Sequence, residues 1–251
     1  MTDAKRWASI IIPTLNEQNG IRLTIKSIPK SLIKSKLGYE VEILVVDGGS
    51  VDSTREIASK LGARVIVEKR KGYGRACKSG FDSARGEILV TIDADNTYPA
   101  EYIADYIEEL DEKNLDFITV NRFSGMEKGA MSFTRRVGNK ILTLATRALY
   151  SVDINDSQSG MWIMRKKFIS QVRLNSDDMS MSEEIKIIAF RFFNAKEIDG
   201  KYYSRTGTAK LKVIQDGLQN LKYLFDYKKK VQFAVISSSA GGEEKEIQLR
   251  G

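Results

Sequence analysis

The sequence predicts an α/β protein built on a mostly parallel sheet, and two patterns predict it. Short aliphatic runs alternate with amphipathic stretches through the first half, which is the pattern of a βαβ series. The run Ile88-Leu89-Val90-Thr91-Ile92 is β-branched or aliphatic throughout, as strands covered on both faces of a parallel sheet are, and it ends abruptly in Asp93-Ala94-Asp95. With 251 residues, 42% of them hydrophobic, the chain is long enough for one large domain with a sizeable core.

Taken in order, Ser9 to Ile12 reads as the first strand. Gly20 to Lys36 then reads as one helix, with Ile21, Ile25, Ile28 and Leu32 at helical spacing. Val41 to Val46 is the second strand. Ser53 and Glu56 form a capping-box pattern that opens a helix closed by Gly62. Arg64 to Val67 and Ile88 to Ile92 are the third and fourth strands. Pro99 suits the first turn of a helix running to Leu110, and Asp116 to Val120 reads as a fifth strand. No repeat or Pro-rich linker divides residues 8–227, so a single domain is expected there. The tail 228–251 has little to bury, and Gly241 to Glu246 reads as a mobile end.

Composition narrows the chemistry. Histidine is absent and Cys77 is the only cysteine, which removes the commonest general base, the usual zinc ligands and any internal disulfide. Catalysis must then rest on carboxylates, cations, a metal or the substrate itself. The net charge of +7 favours anionic partners such as phosphates, nucleic acid or an anionic membrane. No stretch approaches the roughly 20 apolar residues that cross a bilayer, and no secretory signal is evident, so a cytoplasmic location is expected.

The acids Asp93 and Asp95 fall at the carboxyl end of a strand, the edge where open α/β sheets bind ligands. Mg²⁺ and Mn²⁺ prefer hard oxygen ligands, and Mg²⁺ is commonly held by one or two carboxylates plus substrate phosphates. Two further polar clusters end on the same edge: Pro13-Thr14-Leu15-Asn16-Glu17 after the first strand and Asp47-Gly48-Gly49-Ser50 after the second. Asp47 and Glu17 could accept hydrogen bonds from a base or ribose. Lys69-Arg70-Lys71-Gly72-Tyr73-Gly74-Arg75 offers glycines and cations to a phosphate, but Cys77 stands where a dinucleotide fingerprint needs its third glycine.

Together, Ile12 to Glu17, Val45 to Ser50, Lys71 to Gly74 and Asp93-Ala94-Asp95 resemble a family-2 glycosyltransferase of GT-A fold. The later segments Asp156-Ser157-Gln158-Ser159-Gly160, Ser182-Glu183-Glu184, Arg205 to Leu211 and Asp216-Gly217 narrow the resemblance to the polyprenyl-phosphate (dolichyl-phosphate) mannose and glucose synthases. It implies a Rossmann-like sheet with a nucleotide-sugar half, 8–120, and an acceptor half, 121–227. Pro13, Leu15, Glu17, Asp47, Lys71, Gly74, Asp93 and Ala94 would bind the nucleotide, and Asp93 and Asp95 would hold Mg²⁺ or Mn²⁺. Asp95, Glu184, Arg205 and Lys210 would be catalytic, with the two cations neutralising phosphate oxygens. Arg122 and Arg136, beside Arg135, would dock the acceptor phosphate. Thr97 departs from the family pattern, which often has glutamine there.

A phosphate acceptor is mostly dianionic at neutral pH and needs no base, which fits a chain without histidine and an inverting in-line attack. The alternative keeps the fold but uses a sugar hydroxyl as acceptor, with Glu183 or Glu184 as base. A noncatalytic nucleic-acid module is disfavoured because the aromatics do not interleave with the basic residues. Membrane contact would be peripheral, through the stripe Leu211, Ile214, Leu218, Leu221, Leu224 or the stripe Ile141, Leu144, Ala145, Ala148. Core packing against the sheet is the expectation for both.

Overall fold

The computed structural model describes residues 5–207, 213–230, 234–237 and 244–247. Seven strands form one sheet: β1 (Arg6–Thr14), β2 (Tyr39–Asp47), β3 (Arg64–Val67), β4 (Ile88–Thr91), β5 (Phe117–Met126), β6 (Trp162–Arg165) and β7 (Ala195–Tyr202). Their spatial order is β3-β2-β1-β4-β6-β5-β7. Strands β1 to β4 pair in parallel, so Thr14, Asp47 and Thr91 finish on one edge. β6 runs antiparallel to both neighbours, with Trp162 beside Thr91 on one side and Thr119 on the other.

The strands are β-branched and aliphatic because both faces are covered. On one face, α1 (Ile21–Ser27), α2 (Lys30–Leu37), α3 (Thr54–Lys60) and α5 (Ile103–Glu112) pack over Ile10, Ile12, Ile43, Val45 and Val90. On the other, α4 (Tyr73–Ser83), α7 (Lys166–Ser170) and α8 (Met181–Phe192) cover Ile11, Leu44, Val46 and Leu89. A third cluster joins α6 (Phe133–Tyr150), α8 and α9 (Val213–Lys230).

Several expectations are corrected. The helix read over 20–36 is two helices, because Pro29 cannot donate into a helical ladder and Ile28 before it is extended (φ −68°, ψ 120°). Ser53 makes no side-chain cap on α3; Asp52 takes that place, its Oδ1 accepting from the Thr54 N–H at 3.0 Å. Residues 244–246, read as part of a mobile end, belong to β9 (Glu244–Ile247), which pairs antiparallel with β8 (Ala234–Ser237). Val235, Ile236 and Ile247 favour that extended backbone.

The stripe on α6 does not pack on the sheet. Leu142 and Thr146 turn inward, whereas Ile141 and Leu144 are 53% and 64% exposed. On α9 Leu224 is buried but Leu218 is exposed, and Leu211 and the Ile214 side chain lie outside the described residues. No described helix is long and apolar enough to cross a membrane.

Candidate active site

Strand ends and loops stitched to one another build the first half of the site. The Asn16 N–H donates to Ser50 Oγ (2.8 Å), the Glu17 N–H to Thr54 Oγ1 (2.8 Å) and the Val51 N–H to Asn16 Oδ1 (2.8 Å), locking the loop after β1 to the loop after β2. Gly20 backs onto the Asp93–Asp95 turn so closely that a Cβ there would stand 2.5 Å from the Ala94 carbonyl oxygen. Only glycine lets α1 start at that turn.

A cavity of about 520 Å³ opens among these loops, within the size range of small-ligand sites. Pro13, Leu15, Glu17, Lys71, Asp93 and Ala94 line it. Asp47 lies beneath, fully buried, with Oδ2 accepting from the Gly49 and Ser50 N–H groups at 3.0 and 2.9 Å and Oδ1 unpartnered. Gly74 is off the lining: a Cβ there would meet the backbone at Asp177 and Asp178, so its work is close packing. Of the basic loop, Arg70 reaches the cavity already paired with Glu68, and Arg75 is turned away to Asp177 at 2.7 Å.

Asp93 and Asp95 stand at the junction with a second cavity, and both line both. Burial, then the nearby Asp95, pushes the Asp93 carboxyl up to about 7 against the opposing pull of Arg122 and Arg205. Thr97 is too short to reach past Asp95; its hydroxyl donates to Asp95 Oδ1 at 2.6 Å and fixes that carboxylate. Arg205 is paired with the second acid, its Nη1 2.9 Å from Asp95 Oδ2, and its Nη2 lies on Glu17 Oε1. Among the described residues no cluster of three or more His, Cys, Asp or Glu side chains forms a metal cage. The two carboxylates offer hard oxygen donors, which suit Mg²⁺ or Mn²⁺ when ligand phosphates complete the coordination.

The second cavity is lined by Arg122, Arg135, Asn139, Gln158, Tyr202 and Asn220 as well as by the two acids, Tyr73 and Arg205. Arg122 is 4% exposed and doubly bonded to Asp156, Nε to Oδ2 at 2.7 Å and Nη2 to Oδ1 at 2.8 Å. Arg136 is not on the lining; its Nη2 lies 3.1 Å from Met126 Sδ, and Arg135 is the α6 arginine that faces the cavity. Gly160 packs closely on Tyr73 and Asp93, which line both cavities: a Cβ on Gly160 would stand 2.6 Å from the Tyr73 hydroxyl and 3.4 Å from Asp93.

Neither Glu183 nor Glu184 lines this cavity. Glu184 accepts from the Asn175 N–H (2.8 Å), Asn175 Nδ2 (2.9 Å) and the Ser176 N–H (2.8 Å), so it ties down the 175–176 turn. Glu183 accepts from Gln158 Nε2 at 2.6 Å, has an unpartnered Oε2, and burial holds its carboxyl well above the usual range. Lys210 lies outside the described residues. Sequence reasoning gave no role to Tyr73, Asn139, Tyr202, Asp216 or Asn220. Tyr73 and Asp216 sat inside quoted motifs, but Asn139, Tyr202 and Asn220 carry no local signal.

Glu183→Gln keeps the shape and the Gln158 contact. A carboxyl raised in the folded state contributes stability below its ordinary value near 4.5 and loses it as pH rises, because the unfolded chain ionises freely while the buried acid resists. The variant lacks that loss. Its Tm is expected a few degrees above wild type at pH 7, with the two converging toward pH 4 in calorimetry.

Residues 9–173 match the family described as Glycosyl transferase family 2. The chain belongs to that family. It is a glycosyltransferase of GT-A architecture, as the sequence pattern leads one to expect. The low-salt glycan biosynthesis hexosyltransferase Agl6 of Haloferax volcanii is 30% identical over 89% of this chain, which spans only 54% of that relative. A dolichyl-phosphate hexose transferase of the same organism is 29% identical over 81% of this chain and 86% of its own length. Glucosyl-3-phosphoglycerate synthase of Mycobacterium tuberculosis, solved with Mn²⁺, UDP and glucosyl-3-phosphoglycerate, superposes with a TM-score of 0.70 at 19% identity, covering 97% of this chain and 87% of that one. This last likeness concerns the fold.

Proposed function

We propose that this glycosyltransferase moves a hexose from a nucleotide sugar of the GDP-mannose or UDP-glucose type to a polyprenyl phosphate, with inversion and with a divalent ion. The observation that carries the acceptor class is the second cavity: it offers Arg122 and Arg135 to an anion, while Glu183 and Glu184 are held away from it. A phosphate dianion needs no deprotonation, so cations suffice where a hydroxyl acceptor would need a base. A relative named dolichyl-phosphate hexose transferase supports the same class.

In this reading the base and ribose lie in the 520 Å³ cavity over Asp47, with Glu17 and Leu15 beside them. Asp93 and Asp95 would hold Mg²⁺ or Mn²⁺, which when bound would supply Lewis-acid stabilisation to the leaving nucleoside diphosphate. Arg205 leaves Asp95 for the diphosphate oxygens, adding charge-assisted hydrogen bonds. Arg122 and Arg135 hold the attacking phosphate in line with the anomeric carbon, so rate comes from alignment and electrostatics.

The helix that roofs the acceptor cavity supports contact with lipid. Arg135, Gly138, Asn139 and Leu142 of α6 face the cavity, and on the opposite face Phe133, Val137, Ile141 and Leu144 are exposed in a row at helical spacing. Arg136 and Lys140 border that row, and Leu218 and Phe225 of α9 add to the apolar surface.

With Mn²⁺, a panel of donors and polyprenyl phosphate, purified protein should make a lipid-linked sugar, and polyprenyl alcohol should give none. The double variant Ile141→Glu, Leu144→Glu should lose vesicle binding about tenfold while transfer to a short, water-soluble acceptor stays within about twofold. Transfer to the alcohol alone would favour the hydroxyl mechanism, and unaltered vesicle binding would remove the lipid-facing role of α6.

A further inference from the structure

Beneath the acceptor cavity, Lys186 of α8 is fully buried. Its Nζ donates to three carbonyls of one turn, Asp156 at 3.1 Å, Ser157 at 2.8 Å and Ser159 at 2.6 Å, with Ser182 Oγ at 3.3 Å. Asp156 from the turn, Arg122 from β5, Glu197 from β7 and Glu183 from its own helix are the charged groups around it. Burial, opposed first by Asp156, pulls the ammonium down to about 7, which marks how costly the charge is in this place. A hydrophobic side chain of similar length would avoid that cost.

The turn gathered by this ammonium supplies the acceptor cavity three times over. Asp156 grips Arg122, Gln158 lines the wall, and Gly160 abuts Tyr73 and Asp93. A neutral side chain at 186 would take the ammonium from all three carbonyls: Ser159 keeps Trp162 Nε1 at 2.8 Å and Ser182 Oγ at 2.9 Å, and Ser157 keeps Ser182 Oγ at 3.3 Å, but the buried Asp156 carbonyl loses its donor and would rearrange or take up water. Such a rearrangement would move Asp156 and therefore the guanidinium that depends on it. The loops after β1 and β2 on the donor side would be spared, because they are pinned to one another.

We propose that Lys186 is a positioning residue, an internal cation that pins the 156–160 turn so that Arg122 and Gln158 hold their places in the acceptor cavity. The assignment rests on the phosphate-acceptor reading.

Lys186→Met removes every donor, and Lys186→Gln keeps an amide that can serve two of the carbonyls. With Lys186→Met, the KM for polyprenyl phosphate is expected to rise about tenfold or more, with kcat changed less. Affinity for nucleoside diphosphate with Mn²⁺ is expected to stay within about twofold, and Lys186→Gln should fall between the two proteins. An unchanged acceptor KM overturns the proposal. So does a loss of donor affinity in parallel with the acceptor, or failure of both variants to fold, because either makes Lys186 a general stabiliser. A wild type that transfers to no lipid phosphate removes the reading beneath the proposal; a working wild type with an indifferent Lys186→Met removes the assignment alone.

Discussion

Asp95→Asn is expected to lower sugar transfer about a thousandfold, on the order of 4 kcal/mol of transition-state stabilisation. Asparagine keeps an oxygen for the Thr97 hydroxyl, which bonds Asp95 Oδ1 at 2.6 Å, so the turn retains its shape. What it loses is the negative charge that faces Arg205 at 2.9 Å. That pair is largely buried, with the Arg205 and Asp95 side chains 22% and 6% exposed, but removing the charge also relieves the repulsion that raises Asp93, so the two effects on the fold oppose each other. The variant should therefore unfold near the wild-type temperature while Mn²⁺-dependent binding of nucleoside diphosphate weakens sharply in calorimetric titration. Transfer within tenfold of wild type would place the cation elsewhere.

Arg122→Met is expected to be the most damaging single change to stability. Asp156 is fully buried, and removing its partner leaves an uncompensated carboxylate, at a cost of about 3–5 kcal/mol. For a chain of this size that is a fall in Tm of roughly 6–20 °C. Adding Asp156→Asn removes the stranded charge and should recover much of the loss. The acceptor cavity would still lack its guanidinium, so the double variant should remain weak toward polyprenyl phosphate while binding donor normally. Recovery of both properties together would mean that Arg122 serves the fold and not the acceptor.

The two halves of the site differed in how far they could be read from sequence. The donor side was legible because its residues are neighbours in the chain: each aliphatic strand announces itself and its loop follows directly, as at Ile12 to Glu17 and Ile88 to Asp95. The acceptor side is assembled from β5, α6, the 156–160 turn and α9, which meet only through folding. Strands β6 and β7 escaped notice because four-residue Trp162–Arg165 is too short for a periodic signal and Ala195–Tyr202, with Lys196, Glu197, Asp199 and Lys201, has no alternating apolar pattern. Glu183 and Glu184 are expected from sequence as site carboxylates, yet they and Lys186 are all buried because the sheet and α6 enclose α8. Exposure misled in the other direction on α6, where Ile141 and Leu144 have no neighbour to cover them.

The reversed direction of β6 has a topological consequence. Because Trp162, its first residue, sits beside Thr91, the connection leading into it arrives at the rim where β4 has just finished. A strand of the opposite sense in that slot would deliver the same connection to the far rim, out of reach of the donor. In the proposed reading, lengthening or recomposing residues 151–158 reshapes the second cavity while the loops after β1 and β2 keep their mutual bonds, so one scaffold could exchange acceptors and keep its donor chemistry.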